Sequence, residues 1–188
     1  MFESILDFQF EVLTSYYNDG RQLPVRGAVN SAHAYIAAPY GIYKTNDSYI
    51  ALAMTNIPAM AELLQCEPLK QFTDWNDWFS KRDQIKKVLA DHLVTRSTAC
   101  WLGILEKADI WCAAVLDYDS LSKEEAYRVL NMEVTVKTSN GLSVTTTRCP
   151  LRVDGELLLS DKGAPLLGEH NKEIEQQFGL IQQLEGSN

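Results

Sequence analysis

The chain has 188 residues, a formal net charge of −8, 46% hydrophobic residues and 22% charged ones, which suits one or two modest globular domains. Basic residues never run beyond pairs such as Lys81-Arg82 and Lys86-Lys87, so nucleic acid is not an expected partner. The longest apolar runs, such as residues 110–116, fall short of the roughly 18 residues a membrane-spanning helix needs, so no membrane association is expected.

Residues 1–4 (Met-Phe-Glu-Ser) lack the positive n-region of a signal peptide, which points to the cytoplasm. Residues 2–18 distribute Phe2, Ile5, Leu6, Phe8, Phe10, Val12 and Leu13 around most of a helix, and Asn18-Asp19-Gly20 stops it. A helix apolar on all sides needs cover on several sides, from preceding sequence or from another subunit. Pro24 and Gly27 make residues 21–30 a linker. Two strand-like runs follow, at residues 40–44 and 49–53, joined by the turn residues Thr45-Asn46-Asp47-Ser48.

Helices are predicted over residues 58–64, 81–94 and 98–107, the last capped by Ser97 or Thr98. In the middle one, Ile85, Val88, Leu89 and Leu93 form the apolar side, while Lys86, Lys87, Asp91 and His92 are read as solvent-facing. Residues 110–115 are short and apolar and read as a candidate buried strand. Residues 133–137 and 142–147 alternate with period two around Asn140-Gly141, a strong hairpin signal. Residues 171–178 form an amphipathic helix ended by Gly179. Short strands mixed with helices give an α/β class, a small α/β domain of hairpin sheets and helices.

Few residues suggest self-contained chemistry. His33, His92 and His170 have no metal-ligand spacing, so no metal site is expected; His33, beside Tyr35, is expected to be a satisfied structural histidine, with contact to a ligand as the alternative. The glycines occur singly, which excludes a P-loop or dinucleotide fingerprint, and there is no G-x-S-x-G. Cys66, Cys100, Cys112 and Cys149 form no C-x-x-C pair and are expected as buried free thiols. Tyr35, Tyr40, Tyr43 and Tyr49 crowd one region beside Pro39, where they either line a ligand pocket or pack a small sheet.

Three stretches, in order, resemble the class III CoA-transferases, the family of formyl-CoA transferase, carnitine CoA-transferases and α-methylacyl-CoA racemase. Residues 38–53 (APYGIYKTNDSYIALA) are similar to the family's PYG-x-Y-x-T-x-DGYI segment. Thr98, Trp101 and Leu102, followed by Asp109, Ile110 and Cys112, resemble its T-x-EW stretch. Residues 164–170 (APLLGEH) resemble its C-terminal P-x-LGEHT signature.

The resemblance implies that residues 1–27 correspond to the closing helix and linker of a Rossmann-like large domain. Residues 28–115 would then form the small domain, and 116–188 the segment returning to the large domain. It implies covalent catalysis by an aspartate on an acyl-CoA thioester, CoA moving to a carboxylic acid, with no resident cofactor. That aspartate lies upstream of the helix that residues 1–19 resemble, so the chain is expected to be inactive alone and to work as a homodimer or with a separate N-terminal half. Glu3 lies within that helix and is no substitute. The family's gating loop matches Ile36, Ala37 and Ala38, without its glycines; with Pro39 and Tyr40 these are the expected substrate-binding residues. Restricted backbones there leave a substrate-shaping role rather than a flexible gate. Asn56 stands where the racemases carry a glutamate, which favours transfer over racemisation. The alternatives to a partial transferase are a stand-alone acyl- or CoA-binding or interaction module and, third, an acyl-CoA racemase fragment.

Overall fold

The computed structural model describes residues 1–30 and 32–180. The chain divides into two compact units, Met1–Val115 and Leu116–Asn188.

In the first unit the predicted opening helix forms as two, α1 (Phe2–Phe8) and α2 (Phe10–Asn18), with Gln9 between them at φ −95° and ψ 9°. Gly20 follows at φ +62°, a conformation glycine adopts without steric cost. Neither helix has a buried residue, and Phe2 and Phe8 are 72% and 86% exposed.

The sheet places β2 (Tyr49–Leu52) between β1 (Gly41–Lys44) and β3 (Cys112–Ala114), all antiparallel. Gly41, Tyr43, Ile50 and Leu52 point to the core, while Ile42 and Ala51 alternate outward. The 110–115 run is therefore a half-buried edge strand rather than a buried one. On the inner face lie α3 (Ile57–Leu64), the short α4 (Asp77–Ser80), α5 (Arg82–Leu93) and α6 (Thr98–Leu105), which continues into a 3-10 turn at Glu106–Ala108. A further 3-10 turn, Glu67–Gln71, packs on α3 and buries Leu69. The core contains Tyr43, Ile57, Met60, Leu64, Ile85, Leu89, Leu93, Trp101 and Leu105.

The residues of the first two family-like stretches meet at one joint. Asp47 Oδ1 accepts from the Thr98 N–H (2.9 Å), from Thr98 Oγ1 (3.0 Å) and from Thr45 Oγ1 (3.0 Å). Asn46 N–H donates to Arg96 O, and Ser97 caps α6 by accepting from Cys100 N–H. The turn of the β1–β2 hairpin is thus fixed to the start of α6. The Thr98 N–H first, then the two hydroxyls, hold the Asp47 carboxyl below its usual range. A carboxylate with a depressed folded-state pKa stabilises above its unfolded pKa of about 3.9 and loses that contribution as pH falls through the folded value. Asp47→Ala is therefore expected to lower the thermal midpoint at pH 7, with the deficit shrinking below about pH 4; a pH-independent deficit in scanning calorimetry would reject the charge-based account.

Two residues depart from the sequence reading of α5. Lys86 is fully buried, not solvent-facing, because it lies three residues before Leu89 and seven before Leu93, on the same face as both. His92 lies seven residues after Ile85 and is half-buried; its Nε2 is 2.9 Å from Leu64 O and its ring is 5.3 Å from Trp101. Among the thiols, Cys66 is buried and Cys112 half-buried, whereas Cys100 and Cys149 are exposed. Cys100 belongs to the outer side of α6, whose inner side is occupied by Thr98, Trp101 and Leu105.

In the second unit, α7 (Tyr118–Lys123) is capped by Asp117, which accepts from Ser120 N–H, and α8 (Glu125–Leu130) follows it. The predicted hairpin forms from β4 (Glu133–Lys137) and β5 (Ser143–Thr147), with Gly141 at φ +87° in the turn. A smaller hairpin, β6 (Arg152–Val153) with β7 (Glu156–Leu157), turns on Asp154 and Gly155, both at positive φ. The helix α9 (Asn171–Phe178) ends at Gly179 in the left-handed region.

Arg148 is the only buried residue described in this unit. Its guanidinium donates to Leu130 O, Asn131 O and Cys149 O at 2.8, 3.0 and 2.7 Å, placing a cation at the C-terminus of α8. The third family-like stretch also closes a structural contact: Glu169 Oε2 accepts from Leu166 N–H (2.6 Å) and Ser139 Oγ (2.8 Å). Those donors, the backbone one foremost, keep the Glu169 carboxyl below its usual range. None of the helices among the described residues is long and apolar enough to cross a membrane.

Candidate functional site

The segment expected to bind substrate makes a tight approach to β1. Tyr35 N–H donates to His33 Nδ1 (3.2 Å), so His33 serves the local backbone. Ala38 N–H donates to Trp78 O (2.9 Å), Tyr40 N–H donates to Ala37 O (3.2 Å), and the Ala38–Pro39 peptide is cis. Ala38 and Pro39 are buried, Ile36, Ala37 and Tyr40 half-buried. The Tyr43 hydroxyl donates to Pro39 O from inside the core, and burial pushes its pKa up.

The four tyrosines divide between the two roles weighed for them. Tyr43 packs the sheet and Tyr49 faces outward, half-exposed. Tyr40 alone of the four borders a cleft of about 380 Å³ on the outer side of the sheet. The cleft's shape follows from the strand register. Ile42 pairs with Ala51, and Ala51 with Ala113, giving one outward cross-strand row. Two alanines make the floor low, Ile42 and Tyr40 rise on one side, and Trp111, 76% exposed, rises on the other. Cys112 also borders the cleft; burial, then the charge of Glu106, raises the pKa of its thiol, which disfavours thiolate chemistry.

Of the five expected binding residues, Tyr40 therefore lies on the cleft, while Ile36, Ala37, Ala38 and Pro39 form the turn leading into it. Ala51, Ala113 and Trp111 went unrecognised as site residues. The usable signal was an outward strand position filled by alanine on two neighbouring strands. Among the described residues no charged side chain lines the cleft, and no cluster of three or more potential metal ligands occurs. Asn56 caps α3, accepting from Ala59 N–H (2.9 Å), which gives its amide a structural role.

The sequence profile described as CoA-transferase family III matches residues 1–171. Human alpha-methylacyl-CoA racemase is 24% identical over 147 residues, 75% of this chain and 37% of the racemase. A CaiB/BaiF family protein from Brucella suis superimposes with a TM-score of 0.62 at 19% identity, over 93% of this chain and 44% of that one. A Mycobacterium tuberculosis protein described as hypothetical gives 0.61 at 14% identity, over 92% and 45%. The chain thus spans less than half the length of each of these relatives. With the joint of Thr45, Asp47 and Thr98 and the contacts of Glu169 built from the residues that carry the family likeness, and the profile matching 171 of the 188 residues, the chain belongs to CoA-transferase family III.

Proposed function

We propose that these 188 residues are the C-terminal part of a CoA-transferase that moves CoA between an acyl-CoA and a carboxylic acid. The nucleophilic aspartate would come from sequence outside them, in a longer polypeptide or in a second chain. The observation that carries this reading is the family profile match over residues 1–171, beside which the cleft next to Tyr40 offers an apolar lining, with no carboxylate in it among the described residues.

In the proposed reaction the aspartate oxygen attacks the thioester carbonyl and CoA leaves as thiolate, giving a mixed anhydride. The thiolate attacks the aspartyl carbonyl and releases the first carboxylate. The acceptor carboxylate then attacks the aspartyl thioester and expels CoA thiolate, giving a second mixed anhydride; the thiolate attacks its acceptor carbonyl, forming the new acyl-CoA and releasing the aspartate. This chain would border the acyl group through the turn at residues 36–40. The exposed apolar surface of α1 and α2 suits cover by the missing half or by a second copy in a homodimer, with coenzyme A thioester as substrate and the cytoplasm as location.

Mixing the purified chain with a separately produced N-terminal half of a family member tests this. Thioester exchange, followed by mass spectrometry, is expected from the mixture and from neither part alone. Exchange by the chain alone would overturn the reading, and a stable monomer indifferent to the added half would favour a stand-alone acyl- or CoA-binding module.

The human relative favours a second reading, an acyl-CoA racemase. Deuterium exchange at the α-carbon of a 2-methylacyl-CoA by the same mixture would support it. Against it stands Asn56, an amide engaged in capping α3 where a proton-exchanging carboxylate would be needed.

A further inference from the structure

We infer that the cleft takes the hydrocarbon end of an acyl group, so that the substrates are apolar monocarboxylic acyl thioesters rather than dicarboxylic ones. The inference rests on the proposed transferase reading for the word substrate, but its geometry is independent of that reading. The cleft floor is the methyl row of Ala51 and Ala113, set by the register of three strands, and its walls are Ile42 with Tyr40 and the exposed indole of Trp111. Its volume of about 380 Å³ falls in the size range of small-molecule sites.

The chemistry of the occupant follows from what the walls offer. Among the described residues no lysine, arginine or histidine lines the cleft, so the distal carboxylate of a dicarboxylic acyl group would lose water there without gaining a partner. A hydrocarbon chain meets no such penalty. It would cover Ile42, which stands 47% exposed, and the still more open Trp111. The low floor matters as much as the apolar walls, because a larger side chain at Ala51 or Ala113 would occupy the space the chain needs.

Titration calorimetry on the full 188-residue chain, with butanoyl-, hexanoyl-, octanoyl- and succinyl-pantetheine as probes, tests this. Each added methylene is expected to tighten binding about 3–4-fold, on the order of 100-fold between butanoyl and octanoyl. The succinyl thioester should bind more weakly than its four-carbon counterpart. Ala51→Leu is expected to abolish the dependence on chain length; Ala113→Leu, on the exposed edge strand, does the same if the first variant misfolds by circular dichroism. Equal binding of all four probes, or chain-length dependence that survives both variants, overturns the inference. Transfer by the reconstituted mixture without chain-length dependence would reject the apolar substrate class and leave the transferase standing. Chain-length-dependent binding without transfer would do the reverse.

Discussion

Trp101→Ala is expected to destabilise the first unit by about 3–5 kcal/mol, more than any other single truncation proposed for it. Trp101 is fully buried, and three different contacts fix its ring. Its indole Nε1–H donates to Leu93 O (2.7 Å), at the end of α5. The His92 ring packs at 5.3 Å, and the Arg96 guanidinium stands 5.1 Å above the indole. Trp101 therefore joins α5 to α6, and α6 in turn carries the Thr98 groups that hold Asp47. Trp101→Phe should keep most of the packing and lose the bond to Leu93 O, at about 1–3 kcal/mol for the carbonyl left without a donor. Guanidinium unfolding of both variants, read by far-UV circular dichroism, checks the ranking. A Trp101→Ala loss under 1 kcal/mol would contradict the assignment of Trp101 as the joint of the two helices.

The same residue bears on what a family-like motif means. Thr45, Asp47, Thr98, Trp101 and Glu169 are among the residues that carry the resemblance, and each is engaged in holding elements together. Their pattern was legible because capping, turn formation and a buried indole each demand particular residue types at fixed spacing. The β1–β2 and β4–β5 hairpins, α3, α5, α6 and α9 were legible for the same reason, through period and turn chemistry. The helices α7 and α8 were missed because each is only six residues long and has no buried residue, so no sustained apolar stripe marks them. The β6–β7 hairpin was missed although Asp154-Gly155 is a strong two-residue turn, because its strands are only two residues long.

The cleft was less legible than the fold. Tyr40 announced itself as an aromatic beside Pro39, but the floor depends on which residues of three strands stand side by side. Ala51 and Ala113 are 62 positions apart in the chain, and nothing local to either alanine says that they form one row. Register of non-neighbouring strands is a tertiary property, fixed by which face each strand buries. Lys86 failed differently. Its charge prompted an outward assignment, although its spacing from Leu89 and Leu93 already put it on the buried face.

That misplacement leads to the second large effect. Lys86→Met is expected to stabilise the protein by about 1–3 kcal/mol at neutral pH, an unusual sign for a change at a fully buried position. Among the described residues the Lys86 Nζ has no hydrogen-bond acceptor. Asp83, the acidic residue one turn earlier, already accepts from Ala28 N–H (2.9 Å) and Val29 N–H (3.4 Å) through Oδ1. Desolvation lowers the lysine's pKa, Asp83 opposes that fall, and the Arg82 cation adds to it. With the folded pKa below the unfolded value of about 10.4, the folded state binds fewer protons in the window between the two, so stability rises with pH across it. Below that window the charged form carries its full penalty. Methionine keeps the unbranched stem, removes the unpaired ammonium, and so should both raise stability at pH 7 and flatten the alkaline rise. Unfolding free energies of the two proteins at pH 7 and pH 10 measure both effects together. A methionine variant less stable than the parent at pH 7 would mean that Lys86 finds an acceptor in the folded protein, and the buried cation would then have to be counted as paired.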